Sequence, residues 1–94
     1  MPFELDLRPD AVADVQALFE YLAEHAFYVT ERVLRSTERL ANFPRLYQAD
    51  PRYGEGVRRI SVAGQNVLYE VDDHRQIVKV LAVVGQRQNP KPVD

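Results

Sequence analysis

The chain has 94 residues, 46% hydrophobic and 28% charged, an ordinary globular balance that supports a packed core and argues against a disordered chain. It has no cysteine and only two histidines, His25 and His74, which excludes a disulfide framework, a thiolate zinc site and a histidine-based metal cluster, so no cofactor is implied. A net charge of −2 argues against a protein whose main task is to grip nucleic acid, which needs a strongly basic surface.

The N-terminus, Met1 to Asp6, lacks a basic region followed by an apolar stretch, so it is not a secretory signal. No apolar run approaches the ~18 residues that a membrane-spanning helix needs. With the absence of cysteine, these features fit a cytoplasmic protein. Phe3-Glu4-Leu5-Asp6-Leu7 alternates apolar and acidic residues and reads as a short strand with Phe3, Leu5 and Leu7 inward.

Pro9 ends that strand and suits the first position of a helix, where its missing N–H is not needed. Asp10 in the same turn suits the positive end of the helix dipole. The first helix is expected from about Pro9 to about Ala26, with Val12, Val15, Leu18, Phe19 and Leu22 as its apolar stripe. Phe19 and Tyr21 read as core and flank, and Asp14, Glu20 and Glu24 lie off the stripe.

The connection around His25-Ala26-Phe27 is short, which predicts an antiparallel helical hairpin lying on a sheet. The second helix is expected from about Tyr28 to about Asn42. Its buried stripe is Val29, Val33, Leu40 and Phe43, with Thr37 between them. Glu31 and Arg35 are spaced for a surface ion pair. Arg32, Arg35 and Arg39 give the helix a basic edge, either a solvated face or a contact strip for an acidic partner.

Pro44 stops the helix, and Arg45 to Glu55, with Tyr47, Arg52 and Tyr53, reads as a long loop. Three strands follow. Ile60 and Val62 alternate with Arg59 and Ser61, and Val67, Tyr69 and Val71 alternate with Asn66 and Glu70. Ala63 to Asn66 and Asp72 to Arg75 supply the turns between them. Ile77 to Val84 is apolar on both phases except at Lys79, which fits a central strand covered on both sides. Residues 88–94 hold two prolines and no periodicity, a tail without its own fold. The expected fold is α+β: one domain over residues 1–94, with an antiparallel sheet of a short N-terminal strand and a three-stranded meander under a two-helix hairpin.

The order of strand, helical hairpin and meander resembles the RelE/ParE toxins of bacterial toxin–antitoxin pairs. Leu7-Arg8-Pro9-Asp10-Ala11-Val12-Ala13-Asp14-Val15 resembles the family's opening, and Leu40-Ala41-Asn42-Phe43-Pro44 resembles its exit from the second helix. Gly56 to Val62 and Val67 to Val71 resemble its glycine–arginine strand and its tyrosine-bearing strand. Val83 to Pro90 resembles its ending, in which an arginine follows the last strand.

The resemblance implies a toxin silenced by a cognate antitoxin, with DNA reached only through that antitoxin. RelE-like members cut messenger RNA in the ribosome without a metal, using basic strand residues and a C-terminal tyrosine or histidine. That chemistry needs a base for the 2′-hydroxyl, cations for the phosphorane and an acid for the leaving oxygen. The strand positions concerned fall near Val57, Arg59 and Asn66, of which only Arg59 is basic, and the arginine after the last strand is Arg87. No tyrosine or histidine stands near Pro92 or Val93. Guanidinium groups do not exchange protons at working pH, so Arg59 and Arg87 are weak catalytic candidates. His74 falls in a turn.

The ParE-like branch, which acts on DNA gyrase, is therefore favoured by resemblance. The alternatives are a ribosome-dependent endoribonuclease and a non-toxic protein that acts with its antitoxin in transcriptional autoregulation. Arg58, Arg59 and Arg87 are the candidate target contacts, and Arg32, Arg35 and Arg39 the candidate antitoxin contacts. Arg58 shares the inward phase of Ile60 and Val62, where its alternative role is to pair with Asp14 or Glu70.

Overall fold

A computed structural model of the chain describes residues 2–86; Arg87 and the tail at 88–94 lie outside the described residues. The elements are β1 (Glu4–Leu7), α1 (Pro9–Leu22), α2 (Ala26–Glu38), β2 (Arg58–Val62), β3 (Gln65–Asp72) and β4 (Ile77–Gly85). Three 3₁₀ turns, Ala23–His25, Arg39–Ala41 and Pro51–Tyr53, follow α1, follow α2 and precede β2.

The sheet order is β1-β4-β3-β2. The meander β2-β3-β4 is antiparallel throughout, as its alternation implies. β1 instead pairs parallel to β4, with Leu5 opposite Val78 and Leu7 opposite Val80, so the sheet is mixed. The α+β class stands, and this one pairing departs from the antiparallel expectation. The cause is strand parity. The helical hairpin returns the chain so that β2 starts with the sense of β1, and two reversals later β4 has that sense again, now beside β1.

Pro9 opens α1 and Asp10 lies in its first turn, as read from the sequence. The helix stops at Leu22, and a single 3₁₀ turn joins it to α2, which starts two residues earlier than expected. Its buried residues are Ala11 and Leu18, with Val15 and Leu22 partly covered, while Val12 and Phe19 are exposed. The stripe is therefore turned from the expected one. Ala11 replaces Val12 on the sheet side because a methyl lets the helix come close to β4. In α2 the buried set is Ala26, Val33 and Thr37, continued by Leu40, with Val29 partly covered; Phe43 is exposed past the helix end rather than buried.

The β2–β3 turn is only two residues long. Ala63 (φ 50°) and Gly64 (φ 80°) both take the left-handed conformation that a two-residue hairpin matching the strand twist requires. At Ala63 this costs roughly 1 kcal/mol relative to glycine. Gln65 and Asn66 thus belong to β3 rather than to the turn.

β4 lies centrally between β1 and β3, as its two-phase apolar character implied. A bulge places Leu68 opposite Ala82 and Tyr69 opposite Val80, leaving Leu81 unmatched. Val78 and Val80 face the main core before the extra residue and Val83 after it. The bulge thus explains why apolar residues occur on both phases. The main core lies between the sheet and the helices, around Val33, Leu40, Ile60, Val67, Tyr69, Val78 and Val80. A smaller cluster of Tyr53, Val57 and Leu68, with Leu81, Ala82 and Val84 packed on it, covers part of the opposite face.

Candidate functional site

The face of the sheet turned away from the helices is partly covered by the segment between α2 and β2. Residues 48–50 run antiparallel to the start of β2: Ala49 bridges to Arg58, the Asp50 N–H donates to the Val57 carbonyl at 2.7 Å, and the Arg59 N–H donates to the Gln48 carbonyl at 3.2 Å. Asp50 then caps the Pro51–Tyr53 turn, accepting from the Arg52 N–H at 3.2 Å. This local signal, an aspartate before a proline, is a turn initiator readable in the sequence.

Asp50 is the hub of this face. Arg52 forks onto its carboxylate, Nε to Oδ1 at 3.0 Å and Nη2 to Oδ2 at 2.7 Å, and Arg59 Nε reaches Oδ2 at 2.9 Å. Arg59 Nη1 donates to Ser61 Oγ at 3.0 Å, Ser61 donates to Asn66 Oδ1 at 3.1 Å, and Asn66 Nδ2 donates to the Tyr53 hydroxyl at 3.2 Å. One connected network therefore ties the segment to β2 and β3. The hydrogen bonds from Arg52 first, and the charges of Arg52 and Arg59, hold the Asp50 carboxyl at about 2 against the opposing effect of burial. A carboxylate held so low is a poor general base near neutral pH.

Arg59 thus lies on the open face, as expected, but it is spoken for. Its guanidinium fixes Asp50 and Ser61 while part of it remains in water. Val57 is buried in the small cluster, and Asn66 is buried behind Tyr53. The sequence places Arg52 and Tyr53 in a loop without a role and does not single out Asp50, because no periodic pattern links that loop to β2.

Arg58 does not pair with Asp14 or Glu70. Its Nη1 donates to the Tyr47 carbonyl at 2.5 Å. The reason is position: Arg58 starts an edge strand where the 44–57 segment crosses, whereas Asp14 sits on α1 over β4. Asp14 accepts from the Val83 N–H at 2.9 Å. That donor lies beyond the end of β1, so the carboxylate takes the place of a strand neighbour. Burial raises the Asp14 carboxyl, the Val83 hydrogen bond opposes this, and the charge of Asp10 adds to the rise. Beside Arg58, Arg45 forks onto Asp73, with Nη1 to Oδ1 at 2.8 Å and Nη2 to Oδ2. His74 lies exposed in the turn between β3 and β4, as read.

Tyr28, Arg32 and Arg35 on α2, with Arg39 in the turn after it, follow the spacing of one helical line. Arg32 stacks over the Tyr28 ring at 5.6 Å, and Arg35 pairs with Glu31 at 2.6 Å, the ion pair expected from the spacing. The structure therefore places Arg32 and Arg35 on α2 and Arg39 at the start of the 3₁₀ turn that follows it. Arg58 and Arg59 are adjacent on β2 but point to opposite faces, and only Arg59 joins the outward network. No helix among the described residues is long and apolar enough to cross a membrane.

A helical hairpin on a β1-β4-β3-β2 sheet is a fold found among toxins of bacterial toxin–antitoxin pairs. The chain is similar to a chain of the chromosomal ParDE toxin–antitoxin system from P. aeruginosa (TM-score 0.75, 16% identity, 88% of this chain and 95% of that one). It is also similar to a free-state mutant of the E. coli toxin RelE (TM-score 0.73, 19% identity, 93% and 86%). A third likeness is to a chain of the intact E. coli RelBE toxin–antitoxin complex (TM-score 0.67, 17% identity, 92% and 99%). No curated protein matches the chain. The family model described as the ParE toxin of the type II toxin–antitoxin system parDE matches residues 5–90, and the chain belongs to that family.

Proposed function

We propose that this chain is a toxin that inhibits a cellular target by binding it rather than by cutting RNA, and that a cognate antitoxin silences it. DNA gyrase is the target that the family resemblance suggests. The observation that carries the binding reading is the Asp50 network. On the face where RelE-like relatives are expected to place their basic strand residues, Val57 and Asn66 are buried and Arg59 is held by Asp50. The carboxylate there stays ionised and the guanidiniums stay charged, so those groups offer neither a base nor an acid for RNA cleavage. Arg59 on this face, with Arg58 at its edge and Arg87 after β4, is the proposed target contact. Pulse labelling of DNA and protein synthesis after induction without antitoxin tests this. DNA damage with translation continuing is expected. Early arrest of protein synthesis, with messages cut at the ribosomal A site, would assign the chain to the endoribonuclease branch.

The line of Arg32 and Arg35 on α2 and Arg39 just past its end is the proposed steering surface for an acidic antitoxin segment that folds on binding. Glu31 already neutralises part of Arg35, so Arg32 and Arg39 carry most of the effect. Reversing all three charges is expected to slow association with the purified antitoxin at low salt by about 10-fold or more, with a smaller change in release. Equal association rates at low salt would remove α2 from the binding reading.

A further inference from the structure

The Arg59 side chain is 35% exposed, yet it is held at both ends of its guanidinium. Nε lies 2.9 Å from Asp50 Oδ2, and Nη1 donates to Ser61 Oγ at 3.0 Å. Nη2 makes no hydrogen bond among the described residues. Behind Ser61 the hydrogen bonds run in one direction: Ser61 Oγ donates to Asn66 Oδ1, and Asn66 Nδ2 donates to the Tyr53 hydroxyl. A serine hydroxyl has a single proton. With that proton on Asn66, its oxygen can only accept, and Arg59 Nη1 is the donor it meets. The inner end of this relay is fixed by packing, since Asn66 and Tyr53 are buried and Tyr53 packs with Val57 and Leu68.

We infer that Tyr53, Asn66 and Ser61 are positioning residues: they lock the Arg59 guanidinium so that its Nη2 end is offered, already oriented, to an acidic side chain of a protein target. The role rests on the reading of Arg59 as a target contact proposed above, and it adds the chemistry of the partner. The charge balance selects that chemistry. Arg52 and Arg59 share the one carboxylate of Asp50, so this cluster carries a single positive charge in excess. Glu70 and Lys79, opposite each other farther along the same face, add none. A single excess charge does not hold a polyphosphate backbone, whose binding grows with the number of phosphates neutralised. It suits one carboxylate in a contact that is otherwise uncharged. Leu81, Ala82 and Val84, half-buried on β4 across the same face, supply that uncharged surround. A free arginine loses side-chain freedom when it binds, whereas a locked one has lost it already, a difference of about 2–10-fold in affinity. The relay thus strengthens the contact without touching the target.

The test follows the Arg59 Nε–H resonance in the full, isotope-labelled chain by NMR, assigned by its loss in Arg59→Ala. Ser61→Ala, at an exposed position, and Tyr53→Phe, which keeps the buried ring, are each expected to speed exchange of that proton by about 2-fold or more while the fold survives. In cells induced without antitoxin, both variants are expected to need about 2–10-fold more protein for the same arrest of growth. Arg59→Lys keeps the charge but not the oriented fork, and is expected to lose most of its toxicity. Purified wild type is expected not to bind a short DNA duplex or a short RNA. An Arg59→Ala variant that melts normally and stays fully toxic overturns the target-contact reading, and the inference with it. Full toxicity of Ser61→Ala and Tyr53→Phe beside a harmless Arg59→Ala overturns the positioning role alone. An Arg59 Nε–H exchange rate unchanged in both variants does the same, as does an Arg59→Lys variant as toxic as wild type. Binding of the duplex or the RNA by wild type, lost in Arg59→Ala, would assign this face to nucleic acid and overturn the carboxylate partner.

Discussion

Tyr69→Ala is expected to destabilise the fold by about 3–5 kcal/mol, as truncation of a buried aromatic does when its surroundings cannot collapse. Tyr69 is fully buried at the centre of β3, in the main core with Val33, Leu40, Ile60 and Val80. Domains of this size are stable by roughly 5–14 kcal/mol, so the loss is a large share of the total, and Tm should fall by about 15–30 °C. Tyr69→Phe is the informative companion. The hydroxyl is buried beside the Tyr47 backbone without a hydrogen bond of good geometry, and burial pushes its pKa up. Removing it should change stability by less than about 1 kcal/mol. A thermal melt in which Tyr69→Phe falls as far as Tyr69→Ala would show that the hydroxyl, not the ring, holds this site.

Loss of the Asp50 charge is the second large effect. The folded-state pKa of about 2 lies below the ordinary 3.8, so Asp50 contributes stability that is fully present above about pH 4. That contribution is lost as pH falls from about 4 through about 2. The shift corresponds to about 2 kcal/mol, and screening of the half-exposed Arg52 and Arg59 reduces it to about 1–2 kcal/mol. Asp50→Asn is expected to lower neutral-pH stability by that amount and to flatten the acid limb of a stability–pH curve. An acid limb equal to wild type would remove Asp50 from its role as hub. The same variant weakens the hold on Arg59, and Arg59→Ala removes one of the two guanidiniums on Asp50. A loss of toxicity in Arg59→Ala therefore counts as a target contact only where the melting temperature is preserved.

Much of the fold was legible because its signals are local. Alternation of Ile60 and Val62 with Arg59 and Ser61 marks β2 as a strand with one buried face, whereas β3 buries Val67 and Tyr69 on one face and Asn66 and Leu68 on the other, so its expected single buried face does not hold. Pro9 with Asp10 marks the start of α1 at the right residue. The stripe of α1 was harder, because Ala11 and Val12 are neighbours and either completes a period of 3.6. Only the proximity of β4 selects the smaller side chain for the buried position. Phe43 shows the converse: its spacing from Leu40 suits a helix, but the chain leaves the helix at the Arg39–Ala41 turn, and the ring stays in water.

The candidate site was legible only in part. Arg32, Arg35 and Arg39 could be placed on one helix line, and Arg59 on the outward phase of its strand, from spacing alone. Asp50, Arg52 and Tyr53 could not, because their partners Arg59 and Asn66 are reached through space and no periodicity connects a loop to a strand.

By itself the sequence determined the elements, their order and the buried face of β2, since those depend on contacts within a few residues. Besides the stripe of α1, tertiary structure alone decided three things. β1 runs parallel to β4 because of the parity of the reversals between them. Asp14 serves the Val83 N–H, a donor left open where β1 ends, rather than Arg58. The arginine chosen for its charge, Arg59, is held by a carboxylate nine residues earlier, because two guanidiniums and a buried Asp50 satisfy one another only where the 44–57 segment folds back along β2.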